Sequence, residues 1–103
     1  MEIFARQGDL VIEKLTQKIN DGDLVKRADV VFAGDSSGHR HRLLGVALFA
    51  PASGRTQRFR VLEPTQLVHE KGDGHRTVEM VPGDYEIRPL RERGDQSDRA
   101  VED

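Results

Sequence analysis

The sequence predicts an all-β fold, a small single-domain barrel or sandwich of about seven short strands. Three observations carry this. The apolar runs are short and rich in Val, Ile, Leu, Phe and Thr. Clusters of Gly, Pro, Asn, Asp and Ser punctuate them at near-regular intervals. Within the runs, apolar side chains recur at every second residue, the period of a strand with one buried face.

The elements follow in chain order. Asp9–Leu15 holds Leu10, Val11 and Ile12 in one run and reads as a strand. Val11, Leu15 and Ile19 are spaced four apart, so a short helix or a loop is expected after Leu15. Asn20-Asp21-Gly22-Asp23 is a strong turn, and Val25–Ala33 is the next strand. Gly34-Asp35-Ser36-Ser37-Gly38 is a flexible connection to His39–Leu44, which Val46–Ala50 follows. Pro51-Ala52-Ser53-Gly54 is expected to close a hairpin onto Thr56–Glu63. Thr65–Glu70, Thr77–Val81 and Tyr85–Pro89 complete the set, with Gly72-Asp73-Gly74 and Pro82-Gly83-Asp84 expected to close two more hairpins. Residues 1–90 form the domain. Residues 91–103 are polar throughout and read as a short surface helix or a disordered tail.

A chain of 103 residues supports one domain, and 36% hydrophobic against 33% charged residues gives it a modest core. A bound metal or a second subunit would add to its stability, so a homo-oligomer is one expectation. The formal charge of −2 argues against a generally nucleic-acid-binding surface. There is no cysteine, which excludes disulfides, thiolate metal sites and cysteine nucleophiles. No apolar run reaches membrane-spanning length and no signal-peptide core is seen, so a cytoplasmic protein without membrane contact is expected.

The chemistry in this sequence lies in its histidines. In Gly38-His39-Arg40-His41-Arg42, His39 and His41 are two residues apart. On a strand both imidazoles would project from one face, together with Leu43, while Arg40 and Arg42 would project from the other. His69 is in phase with Leu67 on a later strand, and His75 follows the Gly72-Asp73-Gly74 turn. A strand pair that converges three imidazoles can hold zinc or iron(II), with His39, His41 and His69 as ligands and His75 as a fourth. Glu63, Asp35 and Asp73 are candidates to orient an imidazole from behind. The competing reading is that these histidines are solvated or structural.

Gly34, His39, His41 and His69 resemble the cupin pattern, small β-barrels with a glycine, a His-x-His pair and a later histidine. The carboxylate that pattern places shortly after the pair has no counterpart in Arg42–Leu48. Arg6-Gln7-Gly8-Asp9, Gly38–Leu43, Leu67-Val68-His69-Glu70 and Pro82-Gly83-Asp84-Tyr85 together resemble a group of small bacterial and phage proteins that keep a Gly-His-x-His segment and a later His-Glu segment. That likeness supports the choice of residues and implies no reaction.

Ser36 and Ser37 stand in a loop without a nucleophile elbow, and Gly34–Gly38 lacks the lysine and helix of a phosphate loop. The arginines carry the alternative. From Asp35 to Arg60 the charged residues are Arg40, Arg42, Arg55, Arg58, Arg60 and a single acid, Asp35. Were their strands neighbours, these arginines would form an anion-binding face for phosphate or nucleic acid. Balanced by Glu63, Glu79 and Glu86, they would instead form a solvated face. Two functions are therefore expected from the sequence: a histidine-ligated metal protein whose site would suit a hydrolase or lyase, or a non-catalytic module binding an anionic partner.

Overall fold

The computed structural model describes residues 2–7, 9–33, 40–69 and 77–89. Among them the chain forms ten strands: β1 (Glu2–Gln7), β2 (Leu10–Lys14), β3 (Val25–Ala28), β4 (Val31–Ala33), β5 (Arg40–Leu43), β6 (Val46–Phe49), β7 (Gln57–Val61), β8 (Thr65–His69), β9 (Val78–Met80) and β10 (Gly83–Pro89). The fold is all-β, as expected. Every strand pairing is antiparallel. A larger sheet runs β1-β2-β10-β7-β6-β3 and a smaller one runs β4-β5-β8-β9. No helix among the described residues is long and apolar enough to cross a membrane.

The two sheets share their chain segments. β3 leads to β4, β5 to β6, β7 to β8 and β9 to β10, and each step passes from one sheet to the other. The order β10-β7-β6-β3 in the larger sheet is repeated as β9-β8-β5-β4 in the smaller. One corner shows how the chain turns. Asp29 has φ 52° and Gly45 has φ 81°, both in the left-handed region. Asp29 N–H donates to the Gly45 carbonyl at 2.9 Å, and Gly45 N–H donates to Asp29 Oδ1 at 2.8 Å. Aspartate tolerates this conformation and glycine meets no steric penalty in it, so the expected strand Val25–Ala33 bends here into β3 and β4.

The inner faces of both sheets meet in one apolar cluster. Leu10, Ile12, Phe59, Tyr85 and Ile87 from the larger sheet join Leu43, Leu67 and Met80 from the smaller. Phe59 stacks on Phe49 and on Tyr85, with centroids 5.5 and 5.8 Å away. Phe32 of β4 reaches Phe59 across the sheets at 5.7 Å. The period-two phases hold: Phe59 with Val61, and Tyr85 with Ile87, are buried pairs.

Two expectations need correction. β1 pairs with β2 along its length, and the sequence reading had no strand there. Pro82-Gly83-Asp84 does not close a hairpin, because β9 pairs with β8 while β10 pairs with β2 and β7. Of the two alternatives expected after Leu15, the loop forms: residues 15–20 lead into a single 3-10 turn, Asp21–Asp23, capped by the Asn20 side chain on Gly22 N–H at 2.9 Å. Gly72-Asp73-Gly74 and the tail from residue 91 lie outside the described residues.

Candidate functional site

β5 and β8 are neighbours in the smaller sheet, and their register sets His41 opposite His69 and Leu43 opposite Leu67. Directly opposed residues share a face. Here it is the inner face, since Leu43 and Leu67 are both core residues. His41 is fully buried and His69 is 8% exposed. Their rings meet edge to face, with centroids 4.8 Å apart and planes at 76°. Phe32 on β4 is the register partner of His41 on its other side.

Gln7, at the end of β1, enters this cluster from the larger sheet. It is 2% exposed. Its Nε2 donates to the Leu67 carbonyl at 2.8 Å, and its Oε1 lies 2.9 Å from His41 Nδ1. A carbonyl can only accept, so the Leu67 oxygen decides which end of the amide faces it. Gln7 Oε1 then faces the imidazole as an acceptor, and His41 Nδ1 carries the proton. In the neutral ring, Nε2 is left with its lone pair. Asp9, in the β1–β2 turn, places Oδ1 3.7 Å from that nitrogen. Protonation of His41 would complete an ion pair with Asp9; deprotonated, the ring presents a ligand nitrogen there.

The structure thus brings together His41 and His69 of the four histidines singled out from the sequence. His39 and His75 lie outside the described residues, as do Asp35 and Asp73. Glu63 is exposed in the β7–β8 connection. The residues that approach His41 are instead Gln7 and Asp9, which the sequence reading did not assign to the site. Their signal in the sequence was the segment Arg6-Gln7-Gly8-Asp9, which belongs to the resemblance to small bacterial and phage proteins. Among the described residues, no group of three or more His, Asp or Glu is arranged to hold a metal ion.

The arginines are divided between the sheets. Arg40 and Arg42 are on β5, Arg58 and Arg60 are on β7, and those strands are not neighbours. Arg55 is exposed in the β6–β7 loop. Arg58 Nε donates to Glu86 at 3.0 Å. Arg60 is held more fully. Its Nε and Nη2 donate to the two oxygens of Asp84 at 2.7 and 3.1 Å, Nη1 donates to Asp21 at 2.6 Å, and Nη2 reaches the Ile19 carbonyl at 3.0 Å. Burial by itself would raise the Asp84 carboxyl, but the Arg60 hydrogen bond, the Ile19 N–H and the Arg60 charge hold it below the usual carboxylate range. The Arg60 hydrogen bond lowers Asp21 as well, and both acids raise the guanidinium in return. The charge around Arg60 is compensated, and in the smaller sheet Arg42 donates to the Asp29 carbonyl at 3.4 Å.

Gln7, Asp9, His41, His69 and the Arg60 cluster all fall within residues 6–89, the span matched by a family model described as a domain of unknown function, DUF8820. No curated protein and no solved structure matches the chain. With most of its length under that one model, the chain belongs to the DUF8820 family.

Proposed function

We propose that this protein binds a divalent transition-metal ion, zinc or iron(II), through a histidine site built on His41 and His69. The observation that supports the reading is the Gln7 bridge. It fixes the proton of a fully buried imidazole on Nδ1 and keeps Nε2 in the form that a metal requires. Metal-bound histidines characteristically donate their second N–H to such a fixed acceptor. His69 offers a second imidazole from the opposite strand, and Asp9 offers a carboxylate on the Nε2 side of His41.

These residues fall short of a full ligand set by themselves. The proposal therefore takes His39, two residues before His41 in the chain, as the third ligand, with His75 as a fourth. Three protein ligands leave a position for water and suit hydrolytic or lyase chemistry; four suit a structural ion. The alternative of one anion-binding face made by Arg40, Arg42, Arg55, Arg58 and Arg60 has less support. Arg60 is held by Asp84 and Asp21, and Arg58 and Arg60 sit in the other sheet from Arg40 and Arg42.

The test is metal analysis of protein purified without chelator, then reconstituted with zinc or with iron(II) under anaerobic conditions. Wild type should hold close to one ion per chain. His41→Ala and His69→Ala should lose it, and His39→Ala and His75→Ala decide the rest of the set. Negligible metal in the wild type under both conditions would overturn the reading.

A further inference from the structure

The outer face of the larger sheet carries a second candidate site. A groove of about 780 Å3 lies between the loop that holds Lys18 and Asp23 and the β6–β7 loop. Arg58, Glu86 and Arg88 line it from β7 and β10. Arg58 and Glu86 are register partners, and Arg88 stands two residues beyond Glu86 on the same face.

Both guanidinium groups are oriented by acids without being fully used. Glu86 takes only the Nε of Arg58, whose side chain remains 55% exposed. Arg88 is 14% exposed and has Glu13 at 3.6 Å, and its buried Nη1 has no hydrogen-bond partner among the described residues. Lys18 adds a third cation from the opposite wall. Against these stand Glu86, already bound to Arg58, Glu13 beside Arg88, and Asp23. Asn20, Ser53 and Thr56 supply amide and hydroxyl groups along the walls, and no aromatic ring lines the groove.

We propose that this groove binds a small phosphorylated polyhydroxy compound, a sugar phosphate by class. The half-exposed Arg58 guanidinium, Arg88 and the Lys18 ammonium can donate to phosphate oxygens. The amide and hydroxyl groups match sugar hydroxyls, and the lack of an aromatic platform disfavours a nucleobase. The volume falls in the range of small-molecule sites, about 300–1,000 Å3. The histidine pair projects from the inner face of the smaller sheet, so this inference does not depend on the metal reading.

The test is a titration of the full chain followed by 1H–15N spectra, with ribose 5-phosphate, inorganic phosphate and ribose as probes. Ribose 5-phosphate should give saturable shifts at the groove residues, inorganic phosphate weaker ones and ribose none. Arg58→Gln, at an exposed position, should leave the circular dichroism spectrum unchanged and weaken ribose 5-phosphate roughly tenfold. Lys18→Gln should weaken it less. Absence of saturable shifts with ribose 5-phosphate, or equal affinity in wild type and Arg58→Gln, would overturn the site. Inorganic phosphate or ribose binding as tightly as the sugar phosphate would overturn the ligand class.

Discussion

Two polar clusters brace this fold, and they solve burial in opposite ways. On the inner side, a neutral amide positions His41 between the sheets: Gln7 accepts from the ring and donates to the Leu67 carbonyl. On the outer side, Arg60 is held by full charges, with Asp84, Asp21 and the Ile19 carbonyl taking its donors. The neutral device sets which ring nitrogen carries the proton. The charged device commits its guanidinium on several sides and ties the 15–24 loop to β7 and β10. A cation so thoroughly engaged serves the fold; on the proposed reading, the imidazole oriented at Nδ1 turns Nε2 toward a metal. The difference between the two clusters separates a scaffold from a candidate site.

The sharpest way to break the comparison is to remove the amide. Gln7→Leu keeps similar bulk but leaves the His41 Nδ1–H and the Leu67 carbonyl without that bridge. Each buried group left unsatisfied costs about 1–3 kcal/mol, so a loss of about 3 kcal/mol is expected in urea unfolding. The same variant should lower metal uptake, because the ring can then adopt the other tautomer. A loss under about 1 kcal/mol would mean that the amide is not what holds the imidazole.

How much of this was legible beforehand differs between the clusters for a physical reason. Strand phase is a local property, so the burial of His41 with Leu43, of His69 with Leu67 and of Tyr85 with Ile87 could be read from alternation alone. The outward placement of Arg58 and Arg60 follows from the same rule. Which strands become neighbours is not local. The Arg6–Asp9 segment carries little apolar signal, since β1 is an edge strand of the sheet and its one key side chain, Gln7, is polar. Its partners lie 34 and 60 residues away in sequence. The arginine face failed to assemble for a related reason. The corners at Asp29 and Gly45 send β5 and β7 into different sheets, and periodicity is blind to a corner that preserves phase.

A second test acts on the charged cluster. Asp84→Asn keeps the shape of the side chain but withdraws the carboxylate from Arg60 and Ile19, and should cost about 2 kcal/mol at neutral pH. The sign of its pH dependence follows from the lowered Asp84 carboxyl. The folded value lies below the unfolded one of about 3.9, so the stabilisation is complete above the unfolded value and fades as pH falls through the folded one. The gap between wild type and Asp84→Asn should therefore be constant from pH 7 to about 5 and narrow below about 4. Urea midpoints at several pH values measure it. A gap that widened on acidification would mean that the carboxyl is raised in the folded protein.

The smallest effect is expected where the same guanidinium meets an exposed acid. Asp21 is 77% exposed, although its bond to Arg60 is short, at 2.6 Å. Exposed pairs gain little over their hydrated separated ions, and salt screens what they gain. Asp21→Ala should shift the melting temperature by no more than about a degree or two at low salt, and by less in molar salt, where the screening length falls to about 3 Å. Asp84 and Asp21 bind one arginine with similar distances, so the contrast between the two substitutions isolates burial as the variable. Were Asp21→Ala to destabilise as much as Asp84→Asn, and without salt dependence, the 15–24 loop would be held through Asp21, and the division between a buried brace and a surface contact would have to be redrawn.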